Sequence, residues 1–208
     1  QALDDRGRAV QTMRSATYLQ PGEQAMCIGC HESRTTAPES VEARSVMQAP
    51  QQLTPGPDGT HPFSYPRLVQ PVLDRHCVSC HGDAEPAGGL PLTGTPEGPW
   101  TRSYLALTGG LSFWGDATNV AHAGDSLVPR YGGWNPVHRT DPGGAFGSLG
   151  SRLMRLLDEG HESVTLDPEE YERLALWIDC NAVFYGTYDR GDQQAQLRGE
   201  TVPMPEVQ

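Results

Sequence analysis

Two five-residue segments carry residue types that could do chemistry. Residues 27–31 are Cys-Ile-Gly-Cys-His, and residues 77–81 are Cys-Val-Ser-Cys-His. With 5 cysteines and 7 histidines in 208 residues, random placement would give on the order of 0.004 such motifs. The spacing brings two thiols to one edge of a macrocycle while the next residue, a histidine, reaches the iron. It therefore predicts two covalently bound c-type haems, held by Cys27, Cys30, His31, Cys77, Cys80 and His81.

A zinc site built from paired Cys-x-x-Cys segments is the main alternative to haem. The two pairs are separated by residues 31–76, which are 46 residues, whereas common zinc ribbons separate theirs by about 15 to 20. Disulfides within such pairs would close poor loops, and Cys180 is interpreted as a packed free thiol rather than a ligand. We therefore expect haem c. Because thioether attachment takes place outside the cytoplasm, we also expect a periplasmic or other extracytoplasmic location.

The second axial ligand of each iron decides between an electron carrier and an enzyme. The histidine candidates are His61, His76, His122, His138 and His161, and the methionine candidates are Met13, Met26, Met47 and Met154. His122 and His138 lie in glycine-rich sequence, from which either could reach the first iron, and His122 is preferred. His76 is expected more often to pack or to bond a propionate than to ligate. Met154 is interpreted as a core residue.

Helices are expected to position these residues. Apolar residues recur at helical spacing over residues 66–77 and lead directly into the second motif, although Pro71 interrupts the pattern. Another helix is predicted to begin at Ser148 or Ser151 and to end just before His161. The polar tail after Tyr188 is expected to run over the surface.

The whole pattern predicts a mainly α-helical, loop-rich cytochrome c-like fold with few regular strands. A last helix is predicted from Asp167 as N-cap, Pro168 at the first position and Glu170 three residues after the cap. The 24 glycines and 18 prolines favour long loops between helices. Residues 1–60 are predicted to carry the first haem and a wrapping loop. Residues 61–208 are predicted to form the second haem domain, in one compact unit with the first segment.

Charge and hydropathy argue against several classes of partner. All 15 basic residues are arginine, and they oppose 26 acidic residues for a formal net charge of −11. This charge argues against nucleic acid and favours a basic surface on any charged partner. No stretch approaches the ~20 apolar residues of a membrane span. Gln1 begins without a signal peptide, and the opening sequence reads like the interior of a longer protein.

Three stretches carry a family resemblance. Residues 63–74, FSYPRLVQPVLD, lead into CVSCHG, and residues 151–188 read SRLMRLLDEGHESVTLDPEEYERLALWIDCNAVFYGTY. Both resemble the dihaem C-terminal region of the hydrazine synthase alpha-subunit-like family, a planctomycete-type c-type cytochrome domain. Residues 6–32, RGRAVQTMRSATYLQPGEQAMCIGCHE, resemble the stretch in which that family leaves its β-propeller and enters the haem domain.

The resemblance implies a mainly helical domain with two c haems, adjoining a propeller. It also implies that His161 is the distal ligand of the second haem. In hydrazine synthase itself a tyrosine shortly beyond the first motif acts at the iron, whereas this chain has Thr35 and Thr36 in that stretch. Hydrazine synthesis is therefore not carried over.

Three functions of different classes remain open. Electron transfer to or from a redox partner or a catalytic domain is favoured, because it needs only the two motifs and two further ligands. The alternative is a haem enzyme whose first haem keeps an open site for a small nitrogen or oxygen species. The third is an assembly module, in which a histidine of one subunit ligates a haem of the next in a homo-oligomer or larger complex.

Overall fold

Two short helices lead into the second Cys-x-x-Cys-His motif. In the computed structural model, helix α1 spans Tyr65–Leu68 and helix α2 spans Gln70–His76. The break between them follows from Pro71, which has no N–H to continue a single helix. The C-cap of α2 is Cys77, the first thiol of the motif. The structure describes residues 2–11, 20–23, 35, 48–49, 55–109, 126–130 and 146–204.

The remaining elements are short and are joined by long loops. The four strands form two antiparallel pairs, Ala2–Leu3 with Ala9–Gln11 and Pro96–Glu97 with Trp100–Thr101. In chain order the elements are β1 (Ala2–Leu3), β2 (Ala9–Gln11), a 3-10 turn (Ala87–Gly89), β3 (Pro96–Glu97), β4 (Trp100–Thr101), α3 (Arg102–Thr108), α4 (Gly147–Gly150), α5 (Arg152–Glu159), α6 (Pro168–Asp179) and α7 (Arg190–Leu197). The predicted fold class, mainly α-helical and loop-rich with few strands, is confirmed.

The caps predicted for the helices on either side of His161 are present. The hydroxyl of Ser151 accepts from the backbone N–H of Met154 at the start of α5. At α6 the carboxylate of Asp167 accepts from the N–H of Glu170 at 2.8 Å, and the Glu170 carboxylate accepts from the N–H of Asp167 at 3.0 Å. This reciprocal capping box satisfies two otherwise unpaired donors and fixes where α6 begins.

Two helices occur in segments where no helix was predicted from the sequence. Helix α3 begins at the N-cap Thr101 and ends at Gly109, whose φ of 78° is left-handed. Helix α7 begins at the N-cap Asp189 and lies within the polar tail. Its residue Gln196 is buried, and the Gln196 amide donates to the carbonyls of Pro62 and Phe63. Tertiary hydrogen bonds therefore hold this helix against α1.

The core is rich in aromatic side chains. Tyr65, Tyr104, Trp177 and Phe184 are buried together, with neighbouring ring centroids between 4.8 and 6.4 Å apart. Leu153 and Met154 from α5 join the same cluster, and Cys77 packs against it. The second Cys-x-x-Cys-His motif therefore begins at the buried core.

Gln1–Met13 and Pro55–Gln208 form one compact unit, and Arg14–Thr54 form a second. The predicted boundary near residue 60 stays a prediction. Within the described part of the chain, no helix has the length and apolar content needed to cross a membrane. The second Cys-x-x-Cys-His motif lies in the first unit, and the first motif lies in the second.

Candidate haem-binding site

The second Cys-x-x-Cys-His motif forms a tight turn at the end of α2. The N–H of Cys77 donates to the carbonyl of Leu73 at 2.8 Å, and the N–H groups of Cys80 and His81 both donate to the carbonyl of Cys77, at 3.1 and 2.9 Å. Both cysteines are free thiols, with Cys80 exposed and Cys77 partly buried. The turn therefore holds two thiols and one imidazole within five residues, at positions 77, 80 and 81.

The imidazole of His81 has a fixed tautomer. Its Nδ1 lies 2.9 Å from the backbone carbonyl oxygen of Leu90. Since a carbonyl oxygen can only accept, Nδ1 carries the proton and Nε2 keeps its lone pair for a metal ion. A hydrogen bond from the distal nitrogen to a carbonyl both orients a ligating histidine and raises its basicity.

A buried side-chain network holds the loop that carries Leu90. The amide of Gln70 donates to the carbonyl of Leu92 at 3.1 Å and accepts from the hydroxyl of Ser103 at 2.6 Å. The hydroxyl of Tyr65 donates to the same Ser103 oxygen at 3.0 Å. Gln70 is only 6% exposed, so these bonds form in a low-dielectric interior where unpaired groups are costly. The network therefore connects the core to the loop behind His81.

The outer side of this loop is held by Asp83. Its carboxylate accepts from the hydroxyls of Thr93 and Thr95, at 2.6 and 2.8 Å, and from the guanidinium of Arg102 at 2.9 Å. Hydrogen bonds from Thr93 and Thr95, together with Arg102, lower the pKa of Asp83 below its usual range. Hydrogen bonds to Gln70 on the core side and to Asp83 on the outer side thus hold the loop that carries Leu90.

His161 lies in a tight turn after α5. Gly160, with φ of 89°, ends the helix, and the next turn is closed by a hydrogen bond from the N–H of Val164 to the carbonyl of His161 at 2.9 Å. Glu162 and Ser163, inside that turn, have φ values of 48° and 63°. Two consecutive non-glycine residues in the left-handed region store strain, which is common at functional positions. Because His161 lies beyond the end of α5, the turn rather than the helix determines the position of its ring.

The structure brings His81 and His161 together. Their ring centroids are 6.2 Å apart and the ring planes are inclined by 36°. An imidazole nitrogen binds a metal ion at about 2 Å, and the ring centroid lies about 1 Å beyond the nitrogen, so two axial imidazoles have centroids about 6 Å apart. The observed spacing therefore fits two ligands on opposite sides of one metal ion.

The surroundings of Cys77 also fit a covalent haem. Burial raises the pKa of the Cys77 thiol to about 11, and the nearby Cys80 adds to this shift. The site therefore favours an uncharged sulfur, and a thioether has no charge to desolvate. Among the described residues, no three His, Cys, Asp or Glu side chains converge on a common metal position. The donors found here suit a planar haem held by its edge and its axis.

The other sequence candidates have different surroundings. The Nε2 atom of His76 lies 3.0 Å from both carboxylate oxygens of Glu170, which engages its ring. Met154 is buried in the core, Cys180 is a free thiol, and His61 is exposed. The candidates that lie outside the described residues are Cys27, Cys30, His31, His122, His138, Met13, Met26 and Met47.

Sequence reasoning missed the groups behind His81. The partner of its Nδ1 is a backbone carbonyl, which no residue type reveals. Gln70 and Asp83 each stand alone in the sequence as ordinary polar residues, and only the tertiary fold brings them to the loop. That His161 is the distal ligand of the second haem stays a prediction; the structure places its ring centroid 6.2 Å from that of His81.

Comparison with known proteins gives one partial match. Residues 1–32 match the family model of the hydrazine synthase alpha subunit middle domain. Curated proteins and solved structures gave no match. The described part of the matched segment includes the β1–β2 hairpin, whose Ala9 N–H donates to the buried carboxylate of Asp179 at 2.8 Å. The resemblance to this family is thus supported at the amino-terminal end of the chain.

Proposed function

We propose that this chain is a dihaem c-type cytochrome that transfers electrons to or from a redox partner or a catalytic domain. The observation that supports this best is the pair of imidazoles of His81 and His161, with centroids 6.2 Å apart. Two histidines on one iron leave no position for a substrate, and a fully ligated haem is suited to electron transfer.

The residues of the site have distinct roles in this proposal. A bound haem supplies one-electron chemistry at its iron. Cys77 and Cys80 would hold the haem through their sulfurs, and His81 would bind its iron through Nε2, because Nδ1 donates to the carbonyl of Leu90. His161 would supply the second histidine ligand. The cluster that Cys77 joins excludes water from this side of the site.

The first haem is proposed from its motif alone. Cys27, Cys30 and His31 attach it, and His122 is the preferred further ligand. With two haems, the chain would have the cofactor content of the dihaem C-terminal region of the hydrazine synthase alpha-subunit-like family, which its sequence resembles. Covalent attachment of both places the protein outside the cytoplasm.

Intact-mass spectrometry of the denatured protein tests the cofactor. Thioether bonds survive unfolding, so the chain should carry the added mass of two haems. An unmodified polypeptide would contradict the whole proposal. A gain of one haem mass would limit it to one motif, and peptide mapping of haem-bearing fragments would identify which.

Replacing His161 by alanine tests the ligand set. The His161→Ala protein should keep both covalent haems while one of the two changes from low to high spin in optical and EPR spectra. Glu159→Ala is a suitable control, because Glu159 is an exposed residue at the end of α5 and is not among the axial-ligand candidates. If both haems of His161→Ala remain low-spin, His161 is not an axial ligand.

A second candidate function is a haem enzyme that acts on small nitrogen or oxygen species at the first haem. It is motivated by the match of residues 1–32 to a domain of hydrazine synthase. Carbon monoxide distinguishes the two candidates. An electron carrier with two fully ligated haems should bind none at neutral pH, whereas an enzyme of this kind should bind one equivalent per chain.

A further inference from the structure

The amino-terminal hairpin contacts the end of the helix that leads to His161. The guanidinium of Arg6 lies 2.8 Å from Oδ1 of Asp158, and that of Arg8 lies 3.4 Å from Oδ2 of the same carboxylate. Asp158 belongs to the last turn of α5 and precedes His161 by three positions. The two ion pairs join residues that are 152 and 150 positions apart in sequence. The segment around His161 is therefore tied to a distant part of the chain.

Hydrogen bonds within the hairpin hold its two arginines in place. The Asp4 carboxylate accepts from the N–H groups of Arg6 and Arg8, at 3.0 and 2.9 Å, and from Nε of Arg8 at 2.8 Å. In β2 the buried Ala9 donates its N–H to the carboxylate of Asp179 in α6 at 2.8 Å. The backbone that carries Arg6 and Arg8 is therefore braced before either side chain reaches Asp158.

Arg6 also contacts the helix that follows His161. Its guanidinium carbon lies 4.4 Å from the centre of the Tyr171 ring in α6, within the range of a cation–π contact. The Tyr171 hydroxyl donates to Oδ2 of Asp158 at 3.4 Å. Arg6, Asp158 and Tyr171 thus connect the two helices that flank the His161 turn.

Side-chain packing leaves space beside this turn. A cavity of about 300 Å³ lies there, lined by Arg6, Leu157 and Tyr171 together with residues 164–166. Close packing is what normally fixes a segment in a protein interior. Where it is incomplete, the polar contacts made at Asp158 have more influence on where the end of α5 lies.

The ion pairs at Asp158 differ from an ordinary surface pair. Only 26% of the Asp158 side chain and 19% of the Arg8 side chain are exposed, so water screens their charges less. Arg198 and Glu200, by contrast, are 59% and 55% exposed and are two residues apart. An isolated exposed pair of that kind contributes little, whereas several charges in a network can hold a geometry.

We propose that the amino-terminal hairpin positions the distal ligand of the second haem. Arg6 and Arg8 hold Asp158, and Asp158 holds the end of α5 at which the His161 turn begins. Arg6 and Asp158 act through His161 and are therefore positioning residues. The inference rests on the proposed function, in which His161 is a ligand. It goes beyond that function because it gives the segment that matches the hydrazine synthase alpha subunit middle domain an effect on the second haem.

Cyanide binding to the ferric, haem-loaded full chain measures how firmly His161 is held, since cyanide must displace a histidine from a fully ligated iron. The haem concerned is the one that His161→Ala converts to high spin. Asp158→Ala removes the acceptor shared by both arginines and should raise the cyanide affinity of this haem about fivefold. Arg6→Gln should raise it about threefold. Arg6→Lys, which keeps the charge, should bind cyanide like wild type.

A redox titration of the same variants adds a second readout that a merely structural role would not move. The potential of the affected haem should rise in Asp158→Ala and Arg6→Gln, because a less firmly held ligand stabilises the oxidised iron less. Arg198→Gln is the matched control, since it breaks an exposed ion pair at the end of α7 and should change neither the affinity nor the potential. A thermal melt of each variant establishes that it is folded.

The possible failures can be told apart. If His161→Ala converts one haem to high spin while Asp158→Ala and Arg6→Gln keep wild-type cyanide affinities and potentials, the hairpin has no positioning role and the ligand set stands. Equal effects of Arg6→Gln and Arg6→Lys, or of Arg198→Gln, would also overturn the proposal. If His161→Ala leaves both haems low-spin, the ligand set is wrong and this proposal fails with it. Arg6→Gln changes a side chain that is 47% exposed, so it keeps the test decisive if Asp158→Ala does not fold.

Discussion

Replacing Gln70 by methionine should loosen the loop behind His81, the proposed haem ligand. Gln70 is 6% exposed and spans two elements, donating to the carbonyl of Leu92 and accepting from the hydroxyl of Ser103. Methionine has nearly the same volume and shape but a weak acceptor in place of the amide. The substitution therefore removes the hydrogen bonds while leaving the space filled.

The expected cost follows from the groups left behind. The Leu92 carbonyl loses a buried partner, which costs about 1 to 3 kcal/mol. Ser103 can turn its proton toward the hydroxyl of Thr101, 2.9 Å away, so its loss is limited to about 1 kcal/mol. The free energy of unfolding should therefore fall by about 2 to 4 kcal/mol, measured by urea unfolding with circular dichroism. Gln194→Met, at an exposed position of α7, should change it by less than about 0.5 kcal/mol.

A redox titration adds a functional readout. A less firmly held Leu90 carbonyl should weaken its hydrogen bond with His81 and lower the basicity of that ligand. The potential of one of the two haems should then rise, because a weaker donor stabilises the oxidised iron less, and the other potential should stay unchanged. A Gln70→Met protein with wild-type stability and two unchanged potentials would refute the role assigned to this network.

Three further changes test other parts of the fold. Burial raises the pKa of Asp179, so the contribution of this residue to stability is greatest at acid pH and is lost as the pH rises through the raised pKa. Asp179→Asn should therefore lower the free energy of unfolding more at pH about 4 than at pH about 7, measured by urea unfolding. The double change Glu162→Asn with Ser163→Gly suits the left-handed turn and should raise the stability by about 1 kcal/mol, seen as a higher Tm. A Cβ at Gly186 would lie 2.2 Å from the backbone nitrogen of Phe63, so Gly186→Ala should cost about 3 kcal/mol or more and lower the Tm steeply.

The features that could be predicted from sequence are those determined by neighbouring residues. The N-cap at Ser151 and the capping box of Asp167 and Glu170 are formed within one turn of the chain, and the structure has both. The break at Val69, two residues before Pro71, is equally local, because the missing N–H of Pro71 acts within the same stretch of helix. Such signals need no knowledge of the rest of the fold.

The features that could not be predicted depend on distant partners. Helix α7 has a polar sequence with no apolar stripe, and it is held by the buried amide of Gln196, which donates to carbonyls more than 130 residues away in sequence. The ring contact of Trp100 with Tyr185 and the contact of Arg130 with the Tyr104 ring likewise join residues that are 85 and 26 positions apart in sequence. In each case the residue type is ordinary, and only the tertiary packing gives it a role.

The two histidines of the candidate site are held by separate devices. His81 is fixed from behind by the carbonyl of Leu90, on a loop tied to Gln70 inside and to Asp83 outside. His161 is fixed by its own turn, whose closing hydrogen bond and left-handed residues lie entirely within a few positions. Since neither device uses the other's residues, a change behind His81 should alter the properties of one ligand while the opposite ligand keeps its place. The distance between the two rings is therefore set by two segments that hold their shape independently. Such preformed segments suit the proposed electron transfer, because the iron can then change charge with little rearrangement of the protein.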